Sequence, residues 1–114
     1  MSAIKDWDGY NAAAREHGKE LAGLHPELMR GFAALSRGAA SAKHLDAKTR
    51  ELISLAVAVT TRCDGCIDAH VRKAKAAGAS REEMAEALGV AIALNAGAAL
   101  TYSLHVLDAA AETG

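Results

Sequence analysis

The chain of 114 residues is short of proline and of aromatic side chains. It holds one proline, and its aromatic content is 4%, supplied by one Trp, two Tyr and one Phe. With a single proline, little interrupts helical patterns. An excess of charge of either sign is absent too: 13 basic against 14 acidic residues give a net charge of −1. The basic residues are scattered, which excludes a nucleic-acid footprint. Continuous apolar runs such as Ile53–Val59 and Ala87–Leu94 fall far short of the ~20 residues a membrane span needs, so no membrane partner is expected. The first ten residues carry acidic groups and no apolar stretch, so no secretory signal is expected and the default is a cytoplasmic protein. There are two cysteines, Cys63 and Cys66, separated by two residues. A loop that short is a poor structural staple.

What the chain has in abundance is alanine, 28 residues of it, within a hydrophobic content of 51%. That excludes disorder, which needs low hydrophobicity and high net charge. The length suits one domain, residues 1–114, with no repeat or linker. Alanine contributes little area per helix at ~25 cal/mol/Å². The expectation is therefore a tightly packed all-α protein that gains further burial by forming a homo-oligomer.

Five helical segments follow from periodicity and punctuation. Trp7, Tyr10, Ala14, His17, Leu21 and Leu24 recur every three or four residues, a helical stripe. Pro26 suits the first turn of a second helix, with Leu28, Met29, Phe32 and Leu35 directed inward up to Gly38. Residues 39–45 read as a loop, and Asp46 as the N-cap of a third helix over Ala47–Thr60. Its second half, LISLAVAV, is apolar all round and is expected to be buried on most sides. Residues 64–77 form a fourth helix with Ile67, Val71 and Ala74 on one face, ended by Gly78. Its Arg72, Lys73 and Lys75 read as a solvated, dipole-complementing end. Ser80-Arg81-Glu82-Glu83 is a capping box that opens a fifth helix running to about Asp108. Gly89 and Gly97 within it mark places for close helix or subunit packing. Residues 109–114 read as a frayed tail.

The chemistry concentrates in Cys63-Asp64-Gly65-Cys66-Ile67-Asp68-Ala69-His70. With Cys63 at the start of the fourth helix, Cys63, Cys66 and His70 sit at i, i+3 and i+7 on one face. Unpaired N–H groups at a helix N-terminus favour the thiolate, and an imidazole one turn below Cys66 can take or relay its proton. If helices three and four form a hairpin turning near Arg62, Glu51 and His70 lie at levels about 4.5 Å apart, within reach directly or through a water. Asp64 has opposed effects, disfavouring the thiolate while favouring the helix N-terminus. Ser54 and Tyr102 are secondary candidates for a pocket border. His17, His25, His44 and His105 read as structural or surface residues, and Trp7 and Tyr10 as core or subunit contacts.

Glu51, eleven residues, Cys63-x-x-Cys66, three residues, His70 resembles the signature of the carboxymuconolactone decarboxylase superfamily. It is similar in particular to the thiol-bearing branch typified by alkylhydroperoxidase D, over roughly Pro26–Asp108. The resemblance implies an all-helical fold assembled as a homotrimer or homohexamer. It also implies peroxide reduction through the redox pair Cys63 and Cys66, with His70 as relay and Glu51 as its partner. The implied partners are a peroxide substrate and an external dithiol or protein reductant. No cofactor beyond the Cys63–Cys66 disulfide and no metal is implied. The better-studied peroxidase has a histidine just before the second cysteine, where this chain has Gly65. Two other readings of the same residues stay open. Cys63, Cys66, His70 and Glu51 are plausible Zn²⁺ ligands in a non-catalytic helical oligomer. Alternatively, His70 and Glu51 serve a decarboxylase or isomerase while the thiols stand by.

Overall fold

The computed structural model describes residues 3–114. They form five helices: α1 Trp7–Leu24, α2 Pro26–Ala40, α3 Ala47–Thr61, α4 Asp64–Ala76 and α5 Arg81–Glu112. No strand occurs among the described residues. Each start is capped by the side chain that the sequence places there. The Asp46 carboxylate accepts from the Thr49 N–H at 2.8 Å. Ser80 and Glu83 form the reciprocal capping box, at 2.9 and 3.0 Å. His25 ends α1 and caps α2, its Nδ1 accepting from the Leu28 N–H. Gly78 adopts φ +86 after α4. There the Gly78 and Ala79 N–H groups return to the Lys75 and Ala74 carbonyls, a Schellman ending that needs the left-handed freedom of glycine. Two boundaries differ from expectation by more than one residue. Helix α2 continues to Ala40, and α5 continues to Glu112 rather than fraying after Asp108. Ala39–Ala40 and Ala109–Ala111 are strong helix formers, and nothing breaks the ladder before them.

Helices α3 and α4 form a hairpin, and α5 packs on α3. Two polar contacts fix α5 against α3: Lys48 Nζ meets Glu83 Oε2 at 2.8 Å, and the Asn95 amide donates to Thr60 Oγ1 at 2.8 Å. Helix α1 joins the rest through α4, while α2 packs on α1 and its last residue, Ala40, accepts through its carbonyl from the Arg50 side chain of α3. Among the described residues the buried apolar ones are four: Leu55, Ala58, Ala74 and Ala91.

This core corrects the expectation of tight packing within one chain. The inward stripe predicted for α2 is exposed instead, with Leu28 at 52%, Phe32 at 61% and Leu35 at 72%. In α3, Leu55 and Ala58 are buried but Ile53 and Val57 face outward. The chain exposes 8919 Å², where a compact monomer of 11.8 kDa would expose about 5,900 Å². Its radius of gyration is 18.4 Å, against roughly 13 Å for a compact chain of this length. The periodicity is right, but the surfaces that would cover it are not in this chain. Helix α5 also corrects the reading of short apolar runs. An 18-residue window of it reaches a mean hydropathy of 1.5, so by length and composition alone α5 is long and apolar enough to cross a membrane. Small and neutral polar residues break the run without lowering the average much.

The α1–α4 contact turns on a buried carboxylate. Asp68, 6% exposed, accepts from the Arg72 Nε at 3.0 Å and the Asn11 amide at 2.7 Å. Arg72 also reaches Asp8 at 3.0 Å. Arg72 is thus exposed, as expected, and also serves as a clamp between the helices. The bond from Arg72, with that from Asn11, holds the Asp68 carboxyl below the usual carboxylate range despite its burial. Lys48 does the same for Glu83. Stability from groups with lowered folded values is present above their unfolded values near 4 and is lost as pH falls through the folded ones. The expected result is acid unfolding that sets in below about pH 4. Asp68→Asn lowers the melting temperature by several degrees at pH 7, and its gap from the parent narrows towards pH 3. Thermal melts across that range check this; a gap that stays constant would show that the charge of Asp68 is not what holds α1.

Candidate functional site

The site is built at the α3–α4 turn. Arg62 takes a left-handed conformation, φ 55 and ψ 48, as the C-cap of α3, and the Cys63 N–H returns to the Ala58 carbonyl at 3.1 Å. A non-glycine residue there costs about 1–2 kcal/mol. It reverses the chain within two residues and sets Cys63 as the N-cap of α4. The Cys63 sulfur accepts the Cys66 N–H at 3.1 Å, so it takes up one of the unpaired donors at the N-terminus of α4. Cys63 and Cys66 are joined as a disulfide, with Cα atoms 5.2 Å apart.

The hairpin brings Glu51 of α3 directly to His70 of α4, with Nδ1 and Oε2 2.5 Å apart and no need for a bridging water. The two side chains are 28% and 19% exposed, so each is largely shielded and needs the other. The carboxylate can only accept, so the Nδ1–H donates to it and Nε2 is the ring nitrogen outside this contact. That is the arrangement in which a carboxylate orients an imidazole to act as a base. All four predicted residues, Cys63, Cys66, His70 and Glu51, therefore lie along one helical hairpin. With the sulfurs bonded to each other, neither cysteine is a thiolate ligand in this state. Among the described residues no group of three His, Cys, Asp or Glu stands in metal-holding geometry.

Several neighbours were invisible to periodicity. Lys5 Nζ lies 3.3 Å from Asp64 Oδ2 and 5.2 Å from the centroid of the Tyr10 ring. The Tyr10 hydroxyl is 3.4 Å from where a Cβ on Gly65 would stand. Trp7 meets Tyr10 edge-on, with centroids 6.3 Å apart. The α1–α4 packing that creates these contacts has one legible trace, the Asp68/Arg72 pair at i, i+4. Trp7 also lines a cleft of about 520 Å³ with Ile67, Val71 and Arg72. A second cleft of about 490 Å³ lies between α3 and α5, lined by Ile53, Val57, Val90 and Leu94. The secondary candidates stand apart: Ser54 donates to the Arg50 carbonyl in its own helix, and Tyr102 is exposed against His105.

The carboxymuconolactone decarboxylase family profile matches residues 26–109. The chain belongs to the carboxymuconolactone decarboxylase family. The match begins with the proline that opens α2 and takes in the hairpin and nearly all of α5. An uncharacterized protein of Haemophilus influenzae is 53% identical over 104 residues, covering 91% of this chain and 92% of its own. An uncharacterized protein of the cox locus of Paracoccus denitrificans is 42% identical over 80 residues, covering 68% and 72%. The crystal structure of a carboxymuconolactone decarboxylase family protein from Legionella pneumophila superposes with a TM-score of 0.74 at 35% identity. It covers 93% of this chain and 95% of that one. The family membership and the all-helical fold expected from the cysteine motif are thus both found.

Proposed function

We propose that this member of the carboxymuconolactone decarboxylase family is a thiol-dependent peroxide reductase of the alkylhydroperoxidase D type, working in the cytoplasm as a homotrimer or homohexamer. A thiolate attacks the terminal peroxide oxygen. The O–O bond breaks, the alkoxide takes a proton and leaves as alcohol or water, and the sulfur becomes a sulfenic acid. The second thiol displaces hydroxide from that sulfur, which leaves as water with a proton, and the Cys63–Cys66 disulfide forms. An external dithiol, as small molecule or protein, then gives two electrons and two protons through thiol–disulfide exchange. No other cofactor is needed.

The observation that carries this reading is the Glu51–His70 contact at 2.5 Å, one turn along α4 from Cys66 of a cysteine pair able to bond to itself. The imidazole is held with one nitrogen outside that contact, as a proton relay requires. A pair joined in a disulfide supports redox cycling over zinc coordination. His70→Asn is expected to slow oxidation of the reduced protein by peroxide at pH 7 about 100-fold. Glu51→Gln is expected to slow it about tenfold, since it loosens the imidazole without removing it. The measurement is the peroxide-driven loss of two hydrogen masses from the reduced chain. A parent rate no faster than that of free cysteine would sink the reading, and unchanged rates in both variants would sink the relay.

A further inference from the structure

The N-terminal segment lies across the cysteine turn. Lys5 Nζ is 3.3 Å from the Asp64 carboxylate, whose residue stands between the two cysteines. The same ammonium lies over the Tyr10 ring, 5.2 Å from its centroid. Tyr10 in turn packs beside Gly65: its hydroxyl and Cε1 lie 3.4 and 3.9 Å from the Cβ position there. A Cβ at 65 would meet the Tyr10 ring at ordinary contact distance. Tyr10 is fixed on both sides by the clamp already described. Asp8 before it is bound to Arg72 at 3.0 Å, and Asn11 after it to the buried Asp68 at 2.7 Å. The contact therefore belongs to the folded core of α1 and α4.

We propose that Lys5 and Tyr10 form a fixed cover on the cysteine turn and are positioning residues for the pair. Lys5 acts by cancelling the charge of Asp64, and Tyr10 by closing the Gly65 side of the turn. An unpaired carboxylate beside a thiolate disfavours it, and Asp64 flanks both sulfurs in sequence. With Lys5 in place the opposed effects of Asp64 separate: its negative charge still suits the helix N-terminus, but its field at the sulfurs is largely offset. Other charged and titratable groups on the elements that meet here are Arg62 before Cys63, Asp68 and His70 further along α4, Glu51 from α3, and the Tyr10 phenol from α1. Tyr10 leaves the dithiol to be approached from the side away from Gly65, which restricts how a reductant docks.

This inference deepens the dithiol reading and rests on it, but its test reads thiol acidity and access rather than turnover. The reduced protein is alkylated with iodoacetamide from pH 5 to 10, each thiolate displacing iodide to give a thioether, with modification at Cys63 and Cys66 followed by mass. Lys5→Gln is expected to move the pH midpoint upward and slow alkylation at pH 7 about threefold, as suits a half-exposed pair. Lys5→Arg restores the parent profile, and adding Asp64→Asn to Lys5→Gln returns the midpoint to near the parent value. Tyr10→Ala raises the plateau rate at high pH several-fold, while Tyr10→Phe, which keeps the ring, leaves it unchanged. An unmoved midpoint in Lys5→Gln, or an unmoved plateau in Tyr10→Ala, overturns the proposal. Parent protein that shows these alkylation effects but no faster oxidation by peroxide than free cysteine would retain the cover and lose the peroxide reading.

Discussion

Serine in place of either Cys63 or Cys66 is expected to stop peroxide turnover, with a loss of at least about 10³-fold. Removing a nucleophile, or the group that regenerates it, leaves only background reaction. The two variants separate at the first step. His70 falls one turn from Cys66 in the sequence of α4, and Glu51 fixes its ring at 2.5 Å, so Cys66 is the thiol served by a base. Cys63, at the N-cap with its sulfur accepting the Cys66 N–H at 3.1 Å, is the thiol favoured by the helix N-terminus. Cys66 is then expected to attack peroxide and Cys63 to resolve the sulfenic acid. One equivalent of peroxide leaves a sulfenic acid, trapped by a carbon nucleophile such as dimedone, on Cys63→Ser and none on Cys66→Ser. The opposite labelling reverses the two roles. Thiol-dependent peroxide consumption that persists in both variants would remove the cysteines from the reaction altogether.

The residues that could be read from the sequence are those whose geometry is local. Asp46, Ser80 with Glu83, Pro26 and Gly78 each act within four residues, so caps and ends were legible to within a few positions. Glu51 and His70 were legible for a related reason. A two-residue reversal between straight helices fixes height along both by counting, and the structure returns a direct contact where the count gave a small offset. Lys5, Tyr10 and Asn11 were not legible, because their partners lie 55 or more residues away across the α1–α4 contact, which no periodicity specifies. The stripe of Leu28, Phe32 and Leu35 was read correctly as apolar and wrongly as covered. Amphipathic spacing says that a face seeks burial, and it is silent on which surface provides it.

A second uncovered apolar surface, the cleft between α3 and α5, carries the other large effect. Glutamate in place of Val57 or Leu94 is expected to convert an oligomer into single chains of 11.8 kDa by sedimentation. Both residues are exposed and line the cleft between α3 and α5. The chain exposes about 3,000 Å² more than a compact monomer of its mass. A standard interface takes only ~800 Å² from each partner. The excess thus accommodates several such faces per chain: two suffice to close a trimeric ring, and a third joins two rings into a hexamer. Symmetry repeats each substitution at every copy of the interface, so an unpaired buried carboxylate costs several kcal/mol each time. The parent's melting temperature should rise with protein concentration, because folding and association are coupled. The same experiment decides what covers α5. If its apolar length serves other copies of the chain, the parent stays dispersed without detergent as a discrete trimer or hexamer. A parent that sediments near 11.8 kDa at micromolar concentration would leave that face without a protein partner and overturn the oligomer.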